Sequence, residues 1–293
     1  MITILGATGQ VGFRVAAGLL KEGKHVRAIG RNTDRLDALA ARGAHTVQAD
    51  PTSASASSLA GSEAVFAMVP SNPYAEDFAA EQALWGASIV DAVRVSEVKR
   101  IVALSSLGAD RLGAPGVIGC LAEQEERLRT LTDRSLHLLR PVSFFENFLP
   151  AIRQLTDTGT HVDSVDPHLP IPMIATSDIA AAAVRALTDT PWVGVRTQVL
   201  LGERDLSFAE ATAILGDRLA ITAARYERLQ YDRMADMLVS MGFSRSYAQM
   251  YVDMTAAFDT EELTRGVRRS PDNSTETSFE EFAGSITAPT AVS

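Results

Sequence analysis

Three glycines near the start of the chain have the spacing of a phosphate-binding turn. Gly6, Gly9 and Gly12 follow a short apolar run and precede a helical pattern. The first glycine permits a tight turn, the second lets a pyrophosphate approach the backbone, and the third lets helix and strand pack closely. This context predicts a dinucleotide site at a helix N-terminus, the alternative being a tight turn without a ligand. The predicted cradle comprises Gly6, Thr8, Gly9, Gln10, Val11 and Gly12.

Residues after the second predicted strand indicate which dinucleotide fits. An NAD site usually carries a carboxylate about 20 residues past the glycine loop. This chain has Arg31 and Asn32 there, with Arg35 one turn into the next helix. Because a guanidinium forms charge-assisted hydrogen bonds with a 2′-phosphate, NADPH is the predicted cofactor, unless Arg31 is merely a solvated loop residue. Asp50, after the third strand, is a candidate for the adenine amino group or an ordinary turn start.

The first half of the chain alternates short apolar runs with longer helical patterns. This alternation indicates right-handed βαβ crossovers and a parallel sheet buried on both faces. The predicted fold class is therefore α/β, a Rossmann-type doubly wound parallel sheet with a smaller, mainly helical C-terminal substrate or cap region. The predicted strands are Ile2–Leu5, His25–Ile29, His45–Gln48, Ala64–Val69, Ile101–Leu104 and Leu136–Leu139.

The alternation of apolar runs and helical patterns is lost in the second half of the chain, and this change gives the predicted domain boundaries. Residues 1–150 form the NADP(H)-binding domain, residues 171–205 return to it, and residues 206–293 form a smaller helical substrate or cap domain. Hydroxyl and carboxyl side chains at 176–178 offer N-caps for an alanine-rich helix over Ile179–Leu187. The runs starting at Ser207 and Ser278 read as capping boxes, each opening a helix.

Motifs along nearly the whole chain resemble the NmrA-like family of atypical short-chain dehydrogenase/reductases, in its NAD(P)H:quinone oxidoreductase-like branch. Several motifs occur in the family's order, so the resemblance is specific for the family and not for the substrate. Besides the glycine loop, they are Val69-Pro70-Ser71, the run from Val98 to Ala109 with its serine pair, Leu139-Arg140-Pro141 with Phe144 to Leu149, and Ile171-Pro172 with Thr176 to Ala180.

The resemblance implies a role for each matching residue. The glycine loop would hold the pyrophosphate, and the residues after the second strand would meet the 2′-phosphate. Two aromatic residues would border the substrate pocket, with plain core packing an equal alternative. The remaining implied positions are Val69, Pro70 and Ser71 at the nicotinamide ribose, Ser105 and Ser106 near the nicotinamide, and Phe144, Phe145 and Asn147 at the substrate pocket.

Conventional short-chain dehydrogenases use a Tyr-x-x-x-Lys pair, in which the ammonium lowers the pKa of the phenol. None of the five tyrosines has a lysine four residues later. Many NmrA-like reductases instead carry a lysine or histidine before an "AE.E" helix segment, where this chain has Leu121. Cys120 beside it is a conceivable reactive thiol, although free cysteines are mostly buried and inert.

Two functional readings follow from these departures. The first is a reductase whose quinone-like or conjugated acceptor needs little acid catalysis, with Ser105 or Ser106 stabilising the oxyanion. Tyr74 and His168 are proton donors without a supporting motif. The second reading is a non-catalytic NADP(H) sensor that binds a regulatory protein. A roofed apolar pocket over the nicotinamide, built by the methionine-rich helices after residue 230, would favour the reductase.

Composition excludes several other classes of protein. The net charge is −9 and no basic face is evident, so a nucleic-acid partner is not expected. No apolar stretch is long enough to span a membrane, and no signal peptide opens the chain, so a cytoplasmic protein is predicted. No metal site is predicted, and the histidines and aspartates at 161–168 read as a mobile, solvated loop. The expected partner is a small-molecule substrate, with a homodimer possible in principle.

Overall fold

Strands and helices alternate through the first half of the computed structural model, which describes residues 1–50 and 56–286. The strands are Ile2–Leu5 (β1), Val26–Gly30 (β2), His45–Gln48 (β3), Ala64–Ala67 (β4), Arg100–Leu104 (β5), Ser135–Pro141 (β6), Ser143–Phe144 (β7), Thr160–Asp163 (β8), Ile171–Ile174 (β9), Val195–Leu200 (β10), Asp205–Leu206 (β11) and Arg225–Arg228 (β12). The helices are Gln10–Lys21 (α1), Thr33–Ala40 (α2), Phe78–Arg94 (α3), Val117–Arg129 (α4), Leu149–Thr158 (α5), Thr176–Thr188 (α6), Phe208–Arg218 (α7), Tyr231–Ser240 (α8), Arg245–Asp259 (α9) and Phe279–Ser285 (α10).

Seven parallel strands form the central sheet, in the order β10-β6-β5-β4-β1-β2-β3. The predicted α/β class is confirmed, and each of the six predicted strands is present within one or two residues of its expected bounds. The edge strand β10 was not predicted. Its first residues, from Val195 to Thr197, are exposed, so it lacks the apolar run that marks the buried strands.

The sheet is buried on both faces, as its apolar strands require. On one face, Ile4 and Phe66 pack against α1 and α6 through residues such as Val15. On the other face, Val65 and Ile101 pack against α3 and the end of α4. The sequence order reverses between β4 and β1, which opens a crevice at the carboxyl ends of these two strands.

A third core lies between β9, β11 and the helices α5, α7 and α10. Its centre is aromatic: Phe279 packs against Phe145 and Phe148, with ring centroids 5.1 and 5.3 Å apart. The C-terminal part is mainly helical, as predicted, but it also includes β12, which pairs in parallel with β8. Helix α9 packs against α4 and α8, and thereby joins this part to the sheet.

Local caps confirm part of the sequence reading. Ser278 forms the complete capping box of α10 with Glu281. Ser207 caps α7 through its hydroxyl alone, because the carboxylate of Glu210 pairs with Arg204 at 2.7 Å. The predicted caps at 176–178 are wrong, since α6 already begins at Thr176 without a side-chain cap.

One orphan N–H group at the start of α6 is satisfied from another part of the chain. The buried carboxylate of Glu146 accepts the backbone N–H of Thr176 at 3.0 Å and also its hydroxyl. Arg14 of α1 approaches the same carboxylate at 3.5 Å. A carboxylate is favourable here because it faces the positive end of the helix dipole. Across residues 1–50 and 56–286, no helix is both long and apolar enough to cross a bilayer.

Candidate cofactor and active site

A cavity of about 340 Å³ opens at the carboxyl ends of β1, β2, β3 and β4. This is the reversal point of the sheet, where open α/β sheets bind their ligands. Eight of the predicted cofactor residues line it. They are Gly6, Thr8, Gly9, Arg31, Asn32, Asp50, Pro70 and Ser71.

The start of α1 offers an anion-binding end inside this cleft. Its N-cap is Gly9, and its first turn has neither a capping side chain nor an acidic residue. The backbone N–H groups of Gln10 and Val11 are therefore available to a phosphate, reinforced by the helix dipole. Gln10 and Val11 contribute their backbone, since the Gln10 side chain is exposed and that of Val11 is buried in the core.

Gly6 is required by its left-handed backbone conformation, and Gly12 by close backbone packing. Gly6 has φ +69°, and a Cβ there would lie 2.7 Å from the Met68 sulfur. A Cβ on Gly12 would lie well inside 3.0 Å of the Gly6 carbonyl oxygen, a separation that real Cβ atoms do not show. The glycines thus set the turn and the close contact of helix and strand, as the spacing predicted.

Two arginines at or near the cleft lie beside aromatic rings, and one of them makes the cleft wall positive. Arg31 lines the cavity, and its guanidinium lies 5.8 Å from the Trp85 ring centroid. Arg35 does not line the cavity; its guanidinium lies 4.8 Å from the Phe13 ring centroid. The side-chain oxygen of Asn32 accepts the Arg35 backbone N–H at 2.9 Å and so caps α2, which leaves its amide to face a ligand.

Sequence reasoning missed six residues that line the cleft. All but one stand at or just after the carboxyl end of a strand, and this position in the predicted βαβ pattern is the signal that identifies them. The exception lies on α3 and carries no such signal. The six residues are Leu5, Ile29, Gly30, Ala49, Met68 and Ile89.

The loop after β4 is held from two sides. Gln82 of α3 donates to the Pro70 carbonyl at 2.5 Å, and the Ser244 N–H donates to the Pro73 carbonyl at 2.9 Å. Val69 packs against the core beneath the cleft rather than lining it. Tyr74 is 65% exposed, with its ring 5.4 Å from that of Phe243, so the structure places it on the surface of this loop.

Ser105 belongs to a buried charged network. Its hydroxyl donates to Glu125 at 2.5 Å, and Glu125 is 2% exposed. Arg140 binds both oxygens of the same carboxylate, at 2.8 and 2.5 Å. The hydrogen bond to Glu125 raises the pKa of the Arg140 guanidinium, which stays charged. Because its hydrogen is held by Glu125, Ser105 presents lone pairs and no donor to a ligand.

The other residues that the sequence singled out for chemistry, Ser106, Leu121 and Cys120, offer no general acid. Ser106 is partly exposed, and its hydroxyl donates to the Leu107 carbonyl at 3.1 Å. Leu121 packs in an apolar cluster between α4 and α9 that includes Met254. Burial raises the pKa of the Cys120 thiol to about 11, so it is a protonated, poorly nucleophilic group at neutral pH.

The predicted substrate-pocket residues are separated by the fold. Phe145 is 1% exposed and lies in the aromatic core beside Phe279, so its assignment to a pocket wall is wrong and core packing is its role. Phe144 is partly buried against the core of the sheet. Asn147 is exposed, with its amide 3.5 Å from the Ser143 hydroxyl. The described residues that line the cleft include none of these three.

The segment 161–168 is not the solvated loop that its polar residues suggested. His161 and Asp163 lie buried in β8, where His161 bonds the Thr212 hydroxyl at 2.8 Å. Tyr251 donates to Asp163 at 2.7 Å, and burial raises the pKa of this carboxyl. Among residues 1–50 and 56–286, no three His, Cys, Asp or Glu side chains are arranged to hold a metal ion.

Because His161 is buried, we expect the folded protein to lose stability in acid. Burial lowers its pKa to about 4 in the folded protein, against 6.5 when unfolded. Between these values only the unfolded chain takes up the proton, so the free energy of unfolding falls as the pH decreases. Relative to pH 7, the expected loss from this residue at pH 5 is roughly 2 kcal/mol.

Urea unfolding of the wild type and His161→Asn at the two pH values measures this effect. Asparagine keeps a polar atom for Thr212 and does not titrate, so its loss of stability in acid is expected to be smaller by the stated amount. The same pH dependence in both proteins would show that His161 is not its source.

Comparisons with known proteins agree with this geometry. A family model described as NAD(P)H-binding matches residues 6–190. The chain is 28% identical over 259 residues to quinone oxidoreductase 2 of Escherichia coli, with 86% of each chain covered. It is 27% identical over 261 residues to NAD(P)H azoreductase of Xenophilus azovorans, with 87% of this chain and 86% of the relative covered.

Solved structures show the same architecture. The NADPH-dependent quinone oxidoreductase of Escherichia coli, complexed with NADPH, superposes with a TM-score of 0.74 at 26% identity, covering 97% of this chain and 98% of that chain. The triphenylmethane reductase of Citrobacter sp., complexed with NADP(H), gives a TM-score of 0.73 at 22% identity, covering 98% and 96%. The second similarity concerns the fold alone.

Proposed function

Because the chain belongs to the NAD(P)H-binding family, confirming the resemblance found in its motifs, we propose that it is an NADPH-dependent oxidoreductase. Its proposed reaction is hydride transfer to a quinone-like or conjugated small molecule. The observation that carries the proposal is the cleft itself, where an uncapped helix N-terminus and Arg31 meet at the reversal point of the sheet. The relatives named for quinone and azo reduction support the acceptor class.

The residues of the cleft fit this cofactor. The first turn of α1 would bind the pyrophosphate through backbone N–H groups, and Arg31 with Asn32 would bind the 2′-phosphate. Pro70, whose carbonyl accepts from Gln82, and Ser71 would contact the nicotinamide half. When bound, NADPH supplies the hydride.

The acceptor class follows from Leu121, which stands where many NmrA-like reductases carry a lysine or histidine. Hydride addition to a quinone leaves a hydroquinone monoanion, whose oxygen has the basicity of a phenolate, with a pKa of about 10. Water protonates such an oxygen without help from a side chain. A simple ketone would instead develop a far more basic alkoxide and would need an acid. Leu121, in apolar contact with α9, supplies none.

The two serines are proposed to act differently. Ser106 would turn its partly exposed hydroxyl from the Leu107 carbonyl to the developing oxyanion, whereas the Ser105 hydroxyl is held by the buried carboxylate of Glu125. Ser106→Ala is expected to lower kcat roughly tenfold with an unchanged KM for NADPH. Ser105→Ala is expected to keep kcat within about threefold and to lose about 1 kcal/mol of stability. A larger loss of kcat in Ser105→Ala than in Ser106→Ala would reverse the assignment.

Steady-state consumption of NADPH against a panel of benzoquinones and naphthoquinones tests the proposed function, with NADH in parallel. We expect turnover with NADPH that collapses in Arg31→Glu, because a carboxylate would repel the 2′-phosphate. Arg153→Gln, at an exposed position on α5, is the matched control and should retain it. Tight NADPH binding without turnover on any acceptor would instead favour a cofactor sensor with a regulatory protein partner. We place the reaction in the cytoplasm, and a homodimer remains a prediction.

A further inference from the structure

We infer that Phe13 is a specificity-determining residue that positions Arg35 and Arg42 toward the 2′-phosphate end of the cleft. The inference rests on the NADPH dependence proposed above. Phe13 follows Gly12 directly in α1 and is half-buried. Its ring centroid lies 4.8 Å from the guanidinium carbon of Arg35 and 5.3 Å from that of Arg42. One aromatic ring therefore gathers two cations from opposite ends of α2.

The ring holds these cations without neutralising them. An aromatic face attracts a guanidinium through its quadrupole and leaves the N–H donors at the edge of the group free. Within residues 1–50 and 56–286, neither Arg35 nor Arg42 has a carboxylate oxygen within 4.0 Å. The adjacent Arg14 shows the contrast, because its guanidinium is paired with Glu146 at 3.5 Å.

Both arginines belong to the segment that directly follows the cleft-lining residues Arg31 and Asn32. Arg35 lies in the first turn of the helix, and its backbone is fixed by Asn32, which lines the cavity with Arg31. Arg42 lies two residues beyond the end of α2, and its contact with the same ring places it on the side of α2 that faces α1, as for Arg35. Both guanidinium groups lie beside the Phe13 ring. The distance between them is therefore within roughly one Debye length at 0.1 M salt, so a phosphate near one of them also feels the charge of the other.

The two arginines therefore make the protein prefer a dinucleotide with a phosphate on the ribose over one without it. A dinucleotide without the 2′-phosphate gains little from Arg35 and Arg42. Loss of the Phe13 ring would free both side chains to adopt many rotamers, and their ordering would then oppose binding. Phe13→Leu removes the ring and keeps an apolar side chain of similar size in α1.

Calorimetric titration with adenosine 2′,5′-bisphosphate and with adenosine 5′-monophosphate tests the inference without any turnover. The two ligands differ only in the 2′-phosphate. In Phe13→Leu we expect the ratio of the two dissociation constants to shrink about threefold to tenfold, mainly through weaker binding of the bisphosphate. Arg42→Gln should shrink it about threefold, and Phe13→Tyr, which keeps a ring, should preserve it.

The outcomes separate this inference from the proposed function. A wild-type protein that binds both nucleotides equally would contradict the NADPH preference itself. A wild-type preference that survives in Phe13→Leu, or a variant that weakens both nucleotides equally, would overturn the positioning role alone. Thermal unfolding of each variant shows whether its structure is intact. Arg153→Gln, which removes an exposed arginine, controls for the loss of one positive charge.

Discussion

Replacing Gly12 by alanine is expected to weaken NADPH binding roughly 100-fold, the equivalent of one or two lost charge-assisted hydrogen bonds. The added methyl group would collide with the carbonyl of Gly6, which is backbone and cannot rotate away. The turn and α1 would have to separate, and the N–H groups of the first helical turn would no longer all point at the pyrophosphate. Quenching of tryptophan fluorescence by NADPH gives the dissociation constant.

Gly18→Ala is the matched control for this prediction. Gly18 lies in the same helix, two turns from the cleft, and its added Cβ would meet only the side chain of Val184, at 2.9 Å. The buried valine and α6 would have to shift slightly, away from the cofactor turn, so this variant should lose some stability and keep the wild-type affinity. Equal affinities in Gly12→Ala and the wild type would show that the glycine motif is a turn without a cofactor role.

Replacing Arg140 by methionine is expected to cost about 3 kcal/mol of folding free energy. Arg140 is the main partner of Glu125, and its removal leaves a buried carboxylate with only Ser105 and the more distant Arg129. A buried charge without its partner is far more costly than the net gain from the intact pair. Urea unfolding at neutral pH measures the loss.

The double variant Arg140→Met with Glu125→Leu distinguishes pair breaking from lost packing. With both charges removed, most of the stability should return, because an apolar pair of similar volume has no desolvated charge. If the double variant is as unstable as Arg140→Met alone, the loss comes from the shape of the side chain and not from the unpaired Glu125. If Arg140→Met is as stable as the wild type, the pair of Arg140 and Glu125 does not contribute to the free energy of unfolding.

Local patterns predicted the part of the site that is made of neighbouring residues. The glycine turn, the strand before it and Arg31 after β2 follow from spacing alone, since a βαβ unit brings them together within about 30 residues. The capping box at Ser278 is local in the same way. These features needed no knowledge of the rest of the chain.

Contacts between distant segments could not be predicted in this way. Phe145 reads equally as pocket or core until Phe279, far along the chain, is seen to pack on it. The hydroxyl of Ser105 reads as a free donor until α4 brings Glu125 to it. Phe13 belongs to none of the motifs found in the sequence. Its contact with Arg35 and Arg42 forms only when α2 folds against α1.

The central claim is that this cleft transfers hydride from NADPH to a quinone without a side-chain acid. A single-turnover experiment tests it most directly: the protein is loaded with NADPH deuterated at the transferable position and mixed anaerobically with a naphthoquinone. We predict one hydroquinone formed per NADPH oxidised, a slower rate with deuterium, and a rate that stays flat across neutral pH. A rate that titrates with a protein group would contradict the absence of an acid, and no oxidation of bound NADPH would contradict the reductase itself.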